Sequence, residues 1–175
     1  MIPDIKNLVA VTQTLEHAGI CYSLGGSGLM LSLGLTNTVG DWDVMVDAPK
    51  EQVKSALQHE HIEEITSGDY PFGTAYKLVI HSQAPQVELI GRLSIYTDEG
   101  LCRLPSIPST IWNGIHVGSP EVWYVAYALM NRSAKAAILL SYLKEIGANK
   151  DVLKRLMNEP LPDAIMGEIR GLIET

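Results

Sequence analysis

Asp41 and Asp43 stand one residue apart in Asp41-Trp42-Asp43-Val44-Met45-Val46, and Glu88 lies in a second apolar stretch, Val87-Glu88-Leu89-Ile90. Side chains on a strand alternate faces, so the two aspartates point the same way while Trp42 and Val44 point into a core. Two carboxylates a strand period apart can share a hard divalent cation. Magnesium takes octahedral oxygen ligands at ~2.0–2.1 Å and usually combines one or two carboxylates with substrate phosphates. Without a cation, three neighbouring acids repel one another and at least one pKa must rise. Glu88 can hold a second ion or accept the proton of an attacking hydroxyl. Two metal ions stabilise both the attacking and the leaving oxygen of an in-line displacement.

Thirteen residues separate the turn Gly25-Gly26-Ser27 from Asp41. Glycines let the backbone approach a ligand closely and adopt conformations closed to other residues. Ser27 would open a helix, where free N–H groups and the positive dipole end favour phosphate. Its hydroxyl adds one more donor. A glycine turn and three acids in this order can hold magnesium and a nucleoside triphosphate, with Asp41, Asp43 and Glu88 as metal ligands and catalytic residues.

Periodicity places these residues on elements. Asp4 caps a first helix with apolar positions Ile5, Leu8, Val9, Thr12 and Leu15, ended by Gly19. Strands are expected at Ile20–Leu24, Asp41–Val46, Ile62–Thr66, Ala75–His81 and Val87–Tyr96. Short helices are expected at Ser27–Leu33, closed by Gly34, and at Lys50–Gln58 behind Pro49. Ile111 to Val117 reads as a hairpin, because Asn113-Gly114 suits a two-residue turn with positive φ. Ser119-Pro120 marks a helix start. From there the chain reads as helices Pro120–Asn131, Ser133–Ile146, Lys150–Asn158 and Pro162–Ile173. The expectation is a mixed α/β domain over residues 1–118 and a small C-terminal helical bundle over 119–175.

The chain has 175 residues, 46% hydrophobic and 19% charged, which is globular composition. Its formal net charge of -7 is uneven: residues 1–118 hold 13 acids and 6 bases, residues 119–175 hold 7 of each. No basic stripe is present, so binding to long nucleic acid is disfavoured. No apolar run approaches the ~20 residues that span a bilayer, so no membrane partner is expected. Met1-Ile2-Pro3-Asp4 does not read as a signal peptide. Cys21 and Cys102 suggest neither a disulfide framework nor a metal knuckle, and a cytoplasmic setting is the default. Lys77 and Arg92 lie on strands near the acids. If its strand holds register, Arg92 shares a face with Glu88 and pairs with it. Leu139, Leu140, Leu143 and Ile146 form either core packing or the face of a homodimer.

The turn, the Asp-x-Asp strand and the later acid together resemble the nucleotidyltransferase superfamily that includes DNA polymerase β. The superfamily's turn matches Gly26 and Ser27, its aspartate pair Asp41 and Asp43, and its third acid Glu88. The resemblance covers roughly residues 20–90. The stretch Val122 to Leu143, with Arg132 and Lys135, is similar to a helical segment of small bacterial members of toxin-like or antibiotic-modifying type. That likeness implies Arg132 and Lys135 near the nucleotide phosphates, beside Gly25, Gly26 and Ser27; the bland reading makes them a solvated helix face. The chain departs from the pattern at Val39, where many relatives carry Ser or Thr and this one has Thr38 a step earlier. Residues 28–40 hold no charge, and Trp42 replaces a small aliphatic.

The resemblance implies a magnesium-dependent transferase, holding two ions. It would move a nucleoside monophosphate from a triphosphate to an acceptor hydroxyl on a small molecule, a protein or an RNA end. The alternative is an inactive module of the same fold, acting as a nucleotide sensor or as a toxin–antitoxin or phage-defence component.

Overall fold

A computed structural model describes residues 3–81 and 85–175; Met1 and Ile2, where the signal-peptide reading begins, lie outside them. The central element is strand β2 (Trp42–Val46), with Trp42, Val44 and Val46 wholly buried on one face. It pairs antiparallel with β1 (Tyr22–Gly25) and parallel with β5 (Val87–Gly91). β4 (Tyr76–His81) and β3 (Glu63–Ile65) extend the sheet beyond β5. β9 (Ile115–Val117) and β8 (Thr110–Trp112) extend it beyond β1, giving the order β3-β4-β5-β2-β1-β9-β8. The mix of parallel and antiparallel neighbours, with flanking helices, is the expected α/β architecture.

Alternation along β2 divides the core in two. Trp42, Val44 and Val46 join Leu24, Leu78 and Leu89 beneath α1 (Lys6–His17), which contributes Leu8, Val11 and Leu15. Val53 of α3 (Lys50–Ala56) fills the same side. On the opposite face Met45 and Ile90 meet the C-terminal helices. These are α4 (Pro120–Leu129), α5 (Ser133–Ile146), α6 (Lys150–Leu156) and α7 (Asp163–Glu174). α2 (Gly26–Ser32) leaves directly from the end of β1.

Local chemistry explains most boundaries. Gly19 at φ 70 ends α1, with the Ile20 N–H bonded to the Leu15 carbonyl at 2.9 Å. Asp4 helps to start it by accepting from the Lys6 N–H at 2.9 Å. Asn113 (φ 50) and Gly114 (φ 75) make the tight turn of the β8–β9 hairpin. The Ser119 hydroxyl accepts from the Val122 N–H at 3.2 Å, behind Pro120. It also donates to Glu121, a buried carboxylate that accepts from the Asn149 N–H at 2.8 Å. This one acid ties the start of α4 to the start of α6.

One expected strand is corrected. Val87–Tyr96 does not run through: β5 stops at Gly91, and Arg92 turns the chain with φ 54. A Cβ on Gly91 would run into the ring of Tyr76, its register partner on β4, so this last pair of the strand needs a glycine. The chain then enters a separate hairpin, β6 (Ser94–Thr97) with β7 (Gly100–Arg103). Leu139 and Leu143 are core, Leu140 is half-buried and Ile146 is 65% exposed. Among the described residues no helix is long and apolar enough to cross a membrane.

Candidate active site

Asp43 on β2 is the register partner of Gly25 on β1 and of Glu88 on β5. Directly paired residues on neighbouring strands share a face, so both carboxylates project on the side that the C-terminal helices cover. Asp41, just before β2, joins them. The three acids line one cavity of about 560 Å³, together with Ser27, Arg132 and Lys135. Thr38 faces it as well, while Val39 packs against the core under α1. Thr38, rather than Val39, thus brings a hydroxyl to the cavity.

Electrostatics mark Asp43 as the centre. Burial, then the charges of Glu88 and Asp41, push its carboxyl from 3.8 up to about 7; Lys77 and Arg132 pull it back down. Lys77 on β4 places its Nζ 3.7 Å from Glu88 Oε1, with the Glu88 side chain only 12% exposed. The pairing expected for Arg92 is therefore made by Lys77. Arg92 instead donates through Nε to the Asp47 carbonyl at 3.0 Å, because β5 has already ended.

Gly25 and Gly26 serve the cavity from behind. A Cβ on Gly25 would run into the indole of Trp123 on α4, and one on Gly26 into the Asp43 carboxylate. Gly26 also sits at φ 57, a left-handed conformation that glycine adopts at little cost. The turn thus lets α4 lie close over the strand ends and lets Asp43 fold under the start of α2. Ser27 opens onto the cavity from that start.

Arg132 stands at the head of α5, after Asn131 reverses the chain at φ 60. Lys135, one turn later, places its Nζ 5.3 Å from the centre of the Tyr127 ring, a cation–π distance. Trp123 and Tyr127 were not singled out from the sequence. They are one helical turn apart on α4, their rings 5.5 Å between centroids, and both line the cavity. Burial and the charge of Asp43 push the Tyr127 phenol upward, so it stays neutral. The signal was the aromatic i, i+4 spacing on an apolar helix.

The oxygens offered here are hard donors of the kind magnesium takes. Among the described residues no three or more His, Cys, Asp or Glu side chains are already gathered into a metal-holding group. A magnesium ion held by one or two carboxylates completes its shell with water and substrate phosphate, so an open set of acids suits it.

Comparison with solved structures gives the same architecture. The chain superposes on a protein from Thermotoga maritima assigned as a nucleotidyltransferase, with TM-score 0.60 and 18% identity, over 81% of this chain and 92% of that one. The fold is that of a nucleotidyltransferase. The antibiotic-resistance factor ANT(2″)-Ia is similar in its solution structure, at TM-score 0.55 and 12% identity over 79% of this chain and 83% of that one. Its crystal structure with adenylyl-2″-tobramycin aligns at TM-score 0.57 and 10% identity, over 95% and 97% of the two chains. At these identities the likeness is one of fold. No family model and no curated protein matches the sequence.

Proposed function

We propose that the chain is a magnesium-dependent nucleotidyltransferase that moves a nucleoside monophosphate from a triphosphate to an acceptor hydroxyl. The observation that carries this is the Asp43–Glu88 pair, side by side on parallel strands and facing a cavity shared with Asp41, Ser27, Arg132 and Lys135. A neutral site would not set two further acids, Asp41 and Glu88, near a carboxyl already pushed up to about 7. Such an arrangement is costly unless a cation or a proton occupies it.

In this reading Asp41 and Asp43 hold the cation. When bound, magnesium neutralises the triphosphate and draws charge from the phosphorus under attack. Ser27 donates its hydroxyl to the phosphates, and Arg132 and Lys135 balance them from the helical side. Glu88 holds a second ion or takes the proton of the acceptor hydroxyl. The acceptor oxygen bonds to the α-phosphorus, the α–β bridging bond breaks, and pyrophosphate leaves. Catalysis is then mostly positioning and charge stabilisation.

The remaining wall points to the acceptor. Thr36, Thr38, Thr66, Ser67 and Phe72 line the cavity, and among the described residues its only acids are Asp41, Asp43 and Glu88. ANT(2″)-Ia was crystallised with an adenylylated aminoglycoside. A polycationic acceptor of that kind needs carboxylates beyond those engaged with the cation. Among the described residues this cavity has none, so an uncharged hydroxyl compound fits better. Transfer of label from triphosphate to a panel of neutral and cationic acceptors tests the reading.

One observation favours the inactive module. Lys77 already lies 3.7 Å from Glu88, and a permanent ion pair would occupy the acid that transfer needs. Lys77→Met separates the two: it raises turnover if the pair is inhibitory and lowers triphosphate affinity if Lys77 serves the phosphates.

A further inference from the structure

A second groove, of about 440 Å³, lies at the carboxyl ends of β2 and β5. Asp47 and Arg92 mark those ends, four residues beyond Asp43 and Glu88. At a strand rise of 3.2–3.4 Å this is roughly 13 Å from the carboxylate cavity. Its walls carry Arg92, Arg103 and Arg155, with Leu104 and Pro105 between them. The chain has only five arginines among 20 acids, so three in one groove is a concentration of positive charge on an acidic protein.

Asp47, which also lines the groove, and Glu159 are the nearby carboxylates, and both bond to backbone N–H groups rather than to the guanidiniums. Asp47 Oδ2 accepts from the Ser106 N–H at 3.0 Å, and Glu159 Oε1 accepts from the Arg103 backbone N–H at 2.7 Å. Among the described residues none of the three guanidiniums takes part in an ion pair. Arg92 is also held in place. Its backbone has φ 54, a left-handed conformation uncommon for a residue with a long side chain. Two bonds fix it there, from its N–H to the Val46 carbonyl at 2.9 Å and from Nε to the Asp47 carbonyl at 3.0 Å. Such strain persists where the surroundings over-determine it, and it clusters at ligand clamps. A glycine would take this turn more cheaply.

We propose that the groove walled by Arg92, Arg103 and Arg155 binds a phosphate-bearing small molecule. The planar guanidinium matches phosphate oxygens two at a time, and the volume is that of a small-ligand site. The net charge of -7 repels long nucleic acid, which leaves a compact anion. This groove shares Leu93 with the carboxylate cavity but none of its charged residues, and the proposal does not depend on that cavity being an active site. Pyrophosphate and a nucleoside diphosphate share the recognised chemistry.

Calorimetric titration without magnesium, using inorganic phosphate, pyrophosphate, AMP and ADP in turn, tests it. One equivalent of pyrophosphate or ADP should bind. Affinity should fall at least about tenfold in Arg103→Ala/Arg155→Ala, as expected for losing charge-assisted hydrogen bonds. It should weaken with added salt and survive in Asp41→Asn/Asp43→Asn. Equal affinities for pyrophosphate and ADP mean that the phosphates alone are read; tighter ADP binding means that the nucleoside is read too. Both arginines are exposed, so the double variant should fold, and Arg155→Ala alone serves as a milder check. No binding of any of the four at millimolar concentration, or affinity unchanged without the two arginines, overturns the proposal. So does loss of binding in the aspartate variant alone.

Discussion

Asp43 and Glu88 sit opposite each other across the parallel β2–β5 pair, and the charge of Glu88, added to burial, pushes the Asp43 carboxyl up to about 7. The sheet thus holds two acids together that would separate in solution. Holding them so carries a measurable cost.

That cost sets a pH dependence. The folded chain holds the Asp43 proton up to about pH 7, against 3.8 for the free side chain. The unfolded state therefore ionises first as pH rises. Stability without metal should decline from about pH 4 to about pH 7 and level off above it, by up to about 4 kcal/mol. Urea unfolding of the parent and of Asp43→Asn at acid and alkaline pH measures it. The variant should lose most of this slope; identical slopes would show that Asp43 is not desolvated as described.

Gly25→Ala should cost about 1–3 kcal/mol, the range for overpacking a tight contact, because the new Cβ meets the Trp123 indole. Trp123→Ala removes the obstacle, so the two changes together should cost less than their sum. A double-mutant cycle from denaturation midpoints reads this coupling. Strict additivity would mean that α4 does not rest on the strand end.

Much of this was legible in the sequence. The parity of Asp41 and Asp43 about the buried Trp42 follows from strand geometry alone, and Asn113-Gly114 and Ser119-Pro120 announced their turn and cap. What escaped notice depends on partners distant in the chain. Val87 to Tyr96 reads as one apolar run, and nothing local says that Arg92 turns the chain after Gly91, held by the Val46 and Asp47 carbonyls. The hairpin strand Gly100–Arg103 alternates weakly and was missed. The glycine pair read as a ligand turn, yet its nearest need is room for Trp123 and Asp43. Lys77 rather than Arg92 reaches Glu88, from a diagonal position that only the β4–β5 register creates, with Lys77 opposite Ile90 and Glu88 opposite Val79.

Glu88→Gln should lower kcat by about 10²–10⁴-fold, as for loss of a general base, with a smaller change in triphosphate affinity. A group that acts mainly in the transition state shows this split. Single-turnover transfer of labelled nucleotide, beside equilibrium binding, separates the two quantities. Equal losses in both would recast Glu88 as a ground-state ligand only.

Acceptor choice should follow the neutral wall of Thr36, Thr38, Thr66 and Ser67. Labelled transfer to uncharged polyhydroxyl compounds should exceed transfer to aminoglycosides. Efficient modification of an aminoglycoside would show that carboxylates outside this cavity bind the acceptor.

The central claim is that Asp41, Asp43 and Glu88 hold a magnesium–triphosphate complex. Its most direct test is the melting temperature of the parent and of Asp41→Asn/Asp43→Asn with magnesium and each of ATP, GTP, CTP and UTP. Ligand at about 100 times its Kd stabilises the native state by about 2.7 kcal/mol. For a chain of this size that is a rise of about 5–10 °C. At least one triphosphate should give such a shift in the parent, only with magnesium, and none should in the variant. No shift with any of the four at millimolar ligand, or an undiminished shift in the variant, would contradict the claim.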